Sequence, residues 1–216
     1  RLSQQIDTEE VYILIQQFAS LLAKDVYKYE GMVDKFMGDG LMAIFGAPIA
    51  HENNPELAIR SAIDMQADMA TFSQEVHERF NVELRLHVGV HSGEVVVGSI
   101  GSSLLMNYTA IGDTVNLAAR LQQNADPGTI LVSENVFQAT RALIDYEPLK
   151  PILVKGVTEP VPVWRVIDIR QKPGSVRGIE GLTANMIGRK DELNKLSAAA
   201  KNLIDNKKSS FFLIEG

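Results

Sequence analysis

Apolar residues recur at helical spacing from Val11 through Leu14, Ile15, Phe18, Leu21, Leu22 and Val26, which predicts a helix with one buried face. Asp7 with Glu10 three positions on marks its start, and Gly31 its end, so the helix is expected to run to about Tyr29. Beyond it the period shortens. Two apolar runs, Met32–Met37 and Leu41–Phe45, flank Gly38-Asp39-Gly40 and predict a hairpin, since Asp-Gly suits a turn with positive φ. Asn54-Pro55 then opens a second helix, Asn as cap and Pro at the first helical position, with Ala58, Ile59, Ala62, Met65, Met69 and Phe72 turned inward.

Leu84–His91 alternates as a strand, Ser92-Gly93 turns the chain, and Glu94–Gly98 begins another strand. A loop is expected from there to Tyr108, then a helix from Gly112-Asp113 to about Gln122. Thr129–Val132 reads as a strand, Ser133 as the cap of a further helix, and Pro148–Trp164 as two strands around Lys155-Gly156. A linker is expected from about Gln171 to Thr183, where Pro173, Gly174, Ser175, Gly178 and Gly181 gather. Asp191–Asp205 reads as a last helix and Ser209–Ile214 as a strand. The order predicts an α+β or α/β fold: a mixed, mostly antiparallel sheet with helices packed on it.

Composition narrows this picture. The chain has 216 residues, 45% of them hydrophobic and 22% charged, enough for one full domain and a remnant. A net charge of −6 argues against a broad nucleic-acid surface but not against a phosphate site lined by local Lys and Arg. Without cysteine there is no disulfide framework and no thiolate zinc site, which is compatible with a reducing cytosol; a cytoplasmic location is the expectation. No apolar run approaches the ~18–20 residues of a membrane helix, and no signal peptide is visible. The chain opens on Arg1 rather than Met and closes on a strand at Gly216, so an excerpt of a longer protein is expected.

Four features could carry chemistry. Asp39, between two glycines at a hairpin tip, offers a carboxylate that a hard cation such as magnesium, and a triphosphate behind it, could approach; its plainer reading is a turn residue. Lys35 lies four residues earlier and shares its face if the hairpin keeps register; its ammonium could donate to a nucleobase, or be a solvated strand lysine. Asn116 and Arg120, four apart on one helical face, present an amide and a guanidinium fork suited to a ribose and a phosphate, or are an exposed polar stripe. Lys155 is a possible phosphate contact or a loop-tip lysine. His51, His77, His87 and His91 lack metal-ligand spacing, and no helix follows Gly89–Gly98 as a dinucleotide loop would need.

Together these stretches resemble the class III adenylyl and guanylyl cyclases. The likeness runs through Gly31–Gly46 (GMVDKFMGDGLMAIFG), Val88–Gly98 (VGVHSGEVVVG), Tyr108–Leu121 (YTAIGDTVNLAARL) and Val154-Lys155-Gly156, in the family's order, over roughly residues 1–169. It implies a ferredoxin-like βαββαβ-derived fold and the conversion of ATP to 3′,5′-cyclic AMP and pyrophosphate with two Mg²⁺ or Mn²⁺ ions per site. Asp39 matches a metal-binding aspartate, Lys35 the lysine that reads adenine, and Thr109 a base-reading position found as threonine in the soluble-cyclase-like subgroup. Asn116 matches the ribose-positioning asparagine, Arg120 the transition-state arginine, and Lys155 a contact to the terminal phosphates. The family's head-to-tail dimers set the metal aspartates of one chain opposite the Asn and Arg of the other, so a homodimer is implied. The family's other metal aspartate should precede Leu2-Ser3, and the given stretch alone is expected to be weakly active or inactive. Ile187–Leu193 and Phe211–Gly216 resemble the opening of a signalling-type P-loop ATPase domain, which divides the chain into a cyclase domain (1–169), a linker (170–186) and an ATPase fragment (187–216). The alternatives are a catalytically silent cyclase-like module that dimerises and senses ATP, and a nucleic-acid-binding domain, which the acidic balance opposes.

Overall fold

A computed structural model of the chain, describing residues 6–102, 105–154, 159–170 and 189–212, turns most of the periodic segments into elements. The first is α1 (Thr8–Lys28), which buries Leu14, Leu22 and Val26 against α2 (Asn54–Phe80). Gly31 does not end α1 through its own backbone. The left-handed position belongs to Glu30 at φ 59°, and the Gly31 N–H closes the helix on the Val26 carbonyl. Gly31 is small for another reason: a Cβ there would lie 2.6 Å from the Phe45 ring. At the start of α2 the cap position is Asn53 rather than Asn54, whose Oδ1 instead accepts the His51 N–H at 3.3 Å.

The hairpin forms as β1 (Met32–Met37) and β2 (Gly40–Ile44). Its two turn residues are Gly38 and Asp39, and the positive φ, 65°, falls on Gly38 rather than on the Asp-Gly pair. The strand expected over Leu84–His91 shrinks to β3 (Val88–Val90). Its first half keeps the apolar alternation but not the ladder: the Leu84 N–H donates to Ser73 Oγ, and the Leu86 carbonyl accepts from Gln66 and Gly128. The loop expected before Tyr108 is instead a hairpin, β4 (Val96–Ser102) and β5 (Leu105–Ile111).

Then follow α3 (Asp113–Asn124), β6 (Ile130–Ser133), α4 (Glu134–Thr140), β7 (Ile144–Pro148) and β8 (Val163–Ile169). The two strands expected within Pro148–Trp164 therefore lie at its flanks, with the Ile152↔Val161 bridge between them among the described residues. Ser133 stands at the α4 cap, but its hydroxyl goes to His91 Nδ1 at 2.7 Å.

Among the described residues the strands make a four-stranded sheet, β3-β6-β8-β7, and two hairpins, with β3–β6 the parallel pair. The fold is α+β, a mixed and mostly antiparallel sheet with helices on it. β6 is buried throughout and serves both faces, because successive side chains alternate. Ile130 and Val132 meet Ile59 and Ala62 of α2 and Val136 of α4, while Leu131 meets Leu121 of α3 and Val163. A fully buried side chain such as Ile59 contributes about 1.5–3 kcal/mol over an exposed one. The chain divides into two compact units, Arg1–Gly174 and Ser175–Gly216. The second contains α5 (Lys190–Asn206), an exposed helix with Leu193, Leu196 and Leu203 on one stripe.

Candidate functional site

Asp39 is exposed at the hairpin tip, on a turn that Gly38 makes possible by its φ, not by crowding: no atom lies within 4 Å of where a Cβ would stand. The face-sharing argument for Lys35 does not reach it, because Asp39 belongs to the turn and not to the strand. Lys35 itself is shifted by a bulge. Val33 pairs with Ala43 and Lys35 with Met42, so Asp34 is the extra residue. The bulge lets adjacent side chains meet, and Lys35 Nζ lies 3.1 Å from Oδ2 of Asp34, whose side chain is fully buried. Asp34 was not singled out from the sequence. A carboxylate beside a lysine in an otherwise apolar run was its only signal, and the bulge that pairs them has no sequence mark.

Thr109 lies on β5, its Cα paired with that of Gly98, and β5 runs beside β1. The threonine is thus on the strand neighbouring the one that carries Lys35. Lys155 lies outside the described residues.

Asn116 and Arg120 stand on α3, opened by Gly112 at φ 149°. Leu121 is fully buried on the inner face, while Asn116 is exposed and Arg120 half-buried. Arg120 Nη1 donates to Gln123 Oε1 at 2.8 Å, an exposed tether that leaves most of its donors for other acceptors. α3 packs on β3, β6 and β5, whereas the β1–β2 hairpin packs on α1 and β5. Asp39 and Arg120 are therefore carried by different elements, the first hairpin and α3, which both adjoin β5. Neither lines the hollow of about 510 Å³ bordered by Phe45, Gly46, His51, Asn54, Ser92 and Gly93. Lys35, Asp39 and Asn116 are exposed and Arg120 is half-buried.

Magnesium and manganese take hard oxygen donors, and the Asp39 carboxylate is of that kind. Among the described residues, no three His, Asp or Glu side chains converge as a metal site would need, so these residues supply part of one at most. The histidines have other work. Burial holds the imidazole of His91 below its ordinary range while Ser133 takes its Nδ1, His51 pairs with Glu30 at 2.9 Å, and His87 contacts the end of α3.

Comparison with known proteins gives a consistent set. The chain is 31% identical over 163 residues to Adenylate cyclase 1 of Rhizobium meliloti, an alignment covering 74% of this chain and 24% of that protein. It is 26% identical over 178 residues to an adenylate cyclase of Anabaena cylindrica, covering 76% and 34% respectively. It thus spans between about a quarter and a third of these relatives' length. Among solved structures it resembles the adenylyl cyclase CyaB from P. aeruginosa, with a TM-score of 0.76 and 30% identity over 80% of this chain and 90% of that one. It resembles the guanylyl cyclase Cya2 nearly as well, at 0.75 and 29% over 78% and 86%. The family model of the adenylate and guanylate cyclase catalytic domain matches residues 1–167.

Proposed function

From the premise that this chain belongs to the adenylate and guanylate cyclase catalytic domain family, we propose that it is the catalytic domain of an adenylate cyclase working as a homodimer. Residues 1–169 form that domain, 170–186 a linker, and 187–216 the opening of a P-loop ATPase domain. The substrate is ATP. Its ribose 3′-oxygen attacks the α-phosphorus, the 3′-hydroxyl proton departs, the bond to the β-phosphate oxygen breaks, and cyclic AMP and pyrophosphate result.

Each residue has a part that its chemistry suits. Asn116 holds the ribose by its amide, so that attack starts from an aligned conformer. Arg120 places a fixed cationic fork where negative charge grows on the α-phosphoryl oxygens. Lys35 and Thr109 read the base; an ammonium only donates, which suits the bare ring nitrogen of adenine where guanine carries N–H. Lys155 contacts the terminal phosphates. Asp39 holds Mg²⁺ or Mn²⁺ together with carboxylates beyond the described residues, and the ions supply charge neutralisation at the triphosphate and a more acidic nucleophile.

The observation that supports this reading most is the placement of Asn116 and Arg120. They share one face of α3, Asn116 exposed and Arg120 half-buried, on a different element from Asp39. A second copy related by a two-fold axis would bring the missing half to each site, giving two sites per dimer.

Complementation tests this in the full-length protein. Asp39→Asn and Arg120→Ala are each expected to abolish cyclic AMP formation. Mixed one to one, they should recover about a quarter of wild-type turnover, since half the dimers are mixed and each of these has one intact site. No recovery would remove the shared-site reading. Absence of product from either nucleotide in the wild-type protein would leave the silent dimerising module.

A further inference from the structure

We infer that His87 is a positioning residue: it anchors the C-terminal end of α3 to the sheet and thereby fixes where Asn116 and Arg120 stand. This rests on the reading of α3 as one half of a cyclase site.

The argument begins with two hydrogen bonds. His87 Nδ1 lies 3.2 Å from the Ala125 carbonyl, and its Nε2 lies 3.3 Å from Gln122 Nε2. A carbonyl only accepts, so Nδ1 carries the proton. An amide nitrogen only donates, so Nε2 offers its lone pair. The two partners select the neutral Nδ1–H tautomer, and one ring ties both the last turn of α3 and its C-cap, Ala125.

The ring has a rigid base. On one side, the Leu86 carbonyl accepts from the Gly128 N–H at 2.8 Å and from Gln66 Nε2 at 3.0 Å. On the other, the Val88 N–H donates to Thr129 at 3.0 Å, where β3 begins to pair with β6. The middle of α3 rests directly on β3. A Cβ on Gly89 would fall 2.2 Å from the Gln122 nitrogen and 2.4 Å from the Ala118 carbonyl, so backbone meets backbone there. The first turn is tied by Thr114 Oγ1, which donates to the Glu94 carbonyl at 2.6 Å. Asn116 and Arg120 lie between these attachments. The Gly89 contact is backbone on backbone, whereas the Thr114 and His87 ties are side chains that can be changed without inserting bulk under the helix, and His87 holds the end nearer Arg120.

Loosening the C-terminal tie lets the last turn of α3 shift on β3, and a displacement of about 1 Å in a reacting geometry can cost on the order of 100-fold in rate. In the full-length protein, His87→Leu removes both bonds and is expected to lower kcat roughly 10- to 100-fold with KM for ATP little changed. His87→Asn keeps a donor at the Nδ1 position for Ala125 and should restore most of the loss. Two further measurements separate positioning from mere folding. First, amide hydrogen exchange across 113–125 should quicken in His87→Leu and recover in His87→Asn while β6 and α2 stay protected. Unchanged exchange in α3, or loss of protection throughout, overturns the anchor. Second, His87→Leu mixed with Asp39→Asn should regain as much activity as Arg120→Ala mixed with Asp39→Asn. The surviving site in that mixed dimer uses an unaltered α3 and needs only Asp39 from the His87→Leu chain. Lower recovery than this control overturns a role confined to its own α3. If the control itself fails, the shared-site reading is what falls, and the exchange measurement still decides the anchor.

Discussion

Asp25 is 2% exposed on α1, and its Oδ2 has no hydrogen-bond partner among the described residues. Burial raises its pKa first, the nearby Asp68 carboxylate next, and Lys24 only partly offsets them. A carboxyl raised on folding contributes stability that is whole below its unfolded value and lost as pH rises through the folded one. Asp25→Asn should therefore melt higher than wild type at neutral pH, by on the order of 1 kcal/mol for an orphaned buried oxygen, and the gap should close toward about pH 4. Calorimetry across that range checks it; a gap that stays constant with pH would discard the titration account. Asp64, one helix away, behaves oppositely. Burial works to raise it, but Lys28 at 2.5 Å and the Tyr29 hydroxyl at 2.9 Å outweigh this and hold it low. Nothing in the sequence separates these two aspartates, since each is an acid in an amphipathic helix; their partners across the α1–α2 seam do.

Elements were legible where the apolar period is long. α1 keeps close to its expected ends, though Ile15 of its stripe is exposed; α2 runs on past Phe72, the last residue of its stripe, to Phe80; and the first hairpin follows its glycines. Short or polar strands were not. Ser99, Gly101, Ser102 and Asn107 carry little strand preference, and the β4–β5 ladder comes from pairing across the hairpin. The alternation over Leu84 and Leu86 reflects packing against α1 and α2, but a strand needs a continuous ladder, and there Leu86 has the bond from Gly128 while the Leu84 N–H goes to the Ser73 hydroxyl. Gly31 is the junction where this matters for stability. Replacing it with Ala sets a methyl 2.6 Å from Phe45 and 2.9 Å from Val26, between the end of α1 and β2. A loss of about 1–3 kcal/mol is expected, seen as a lower urea midpoint at unchanged slope. A midpoint equal to wild type would mean that Phe45 swings aside freely.

At the scale of the whole molecule, Asp39 and Arg120 stand on different elements, the first hairpin and α3, and the proposed activity depends on a second copy. Specific activity should then fall on dilution as dimers part, with sedimentation following the same curve. Activity per chain that holds constant into the monomer range would contradict a shared site. Sequence alone determined the helix stripes, the hairpin with Asp39 at its tip and the pairing of Asn116 with Arg120 on one face, because these depend on spacing within a few residues. Tertiary structure decided the rest: the bulge that joins Lys35 to Asp34, the strand at 105–111, the differing fates of Asp25 and Asp64, and the grip of His87 on α3. Each of these is a contact between segments distant in the chain or a backbone shift that such contacts stabilise, and local periodicity carries no record of which partner a group will meet.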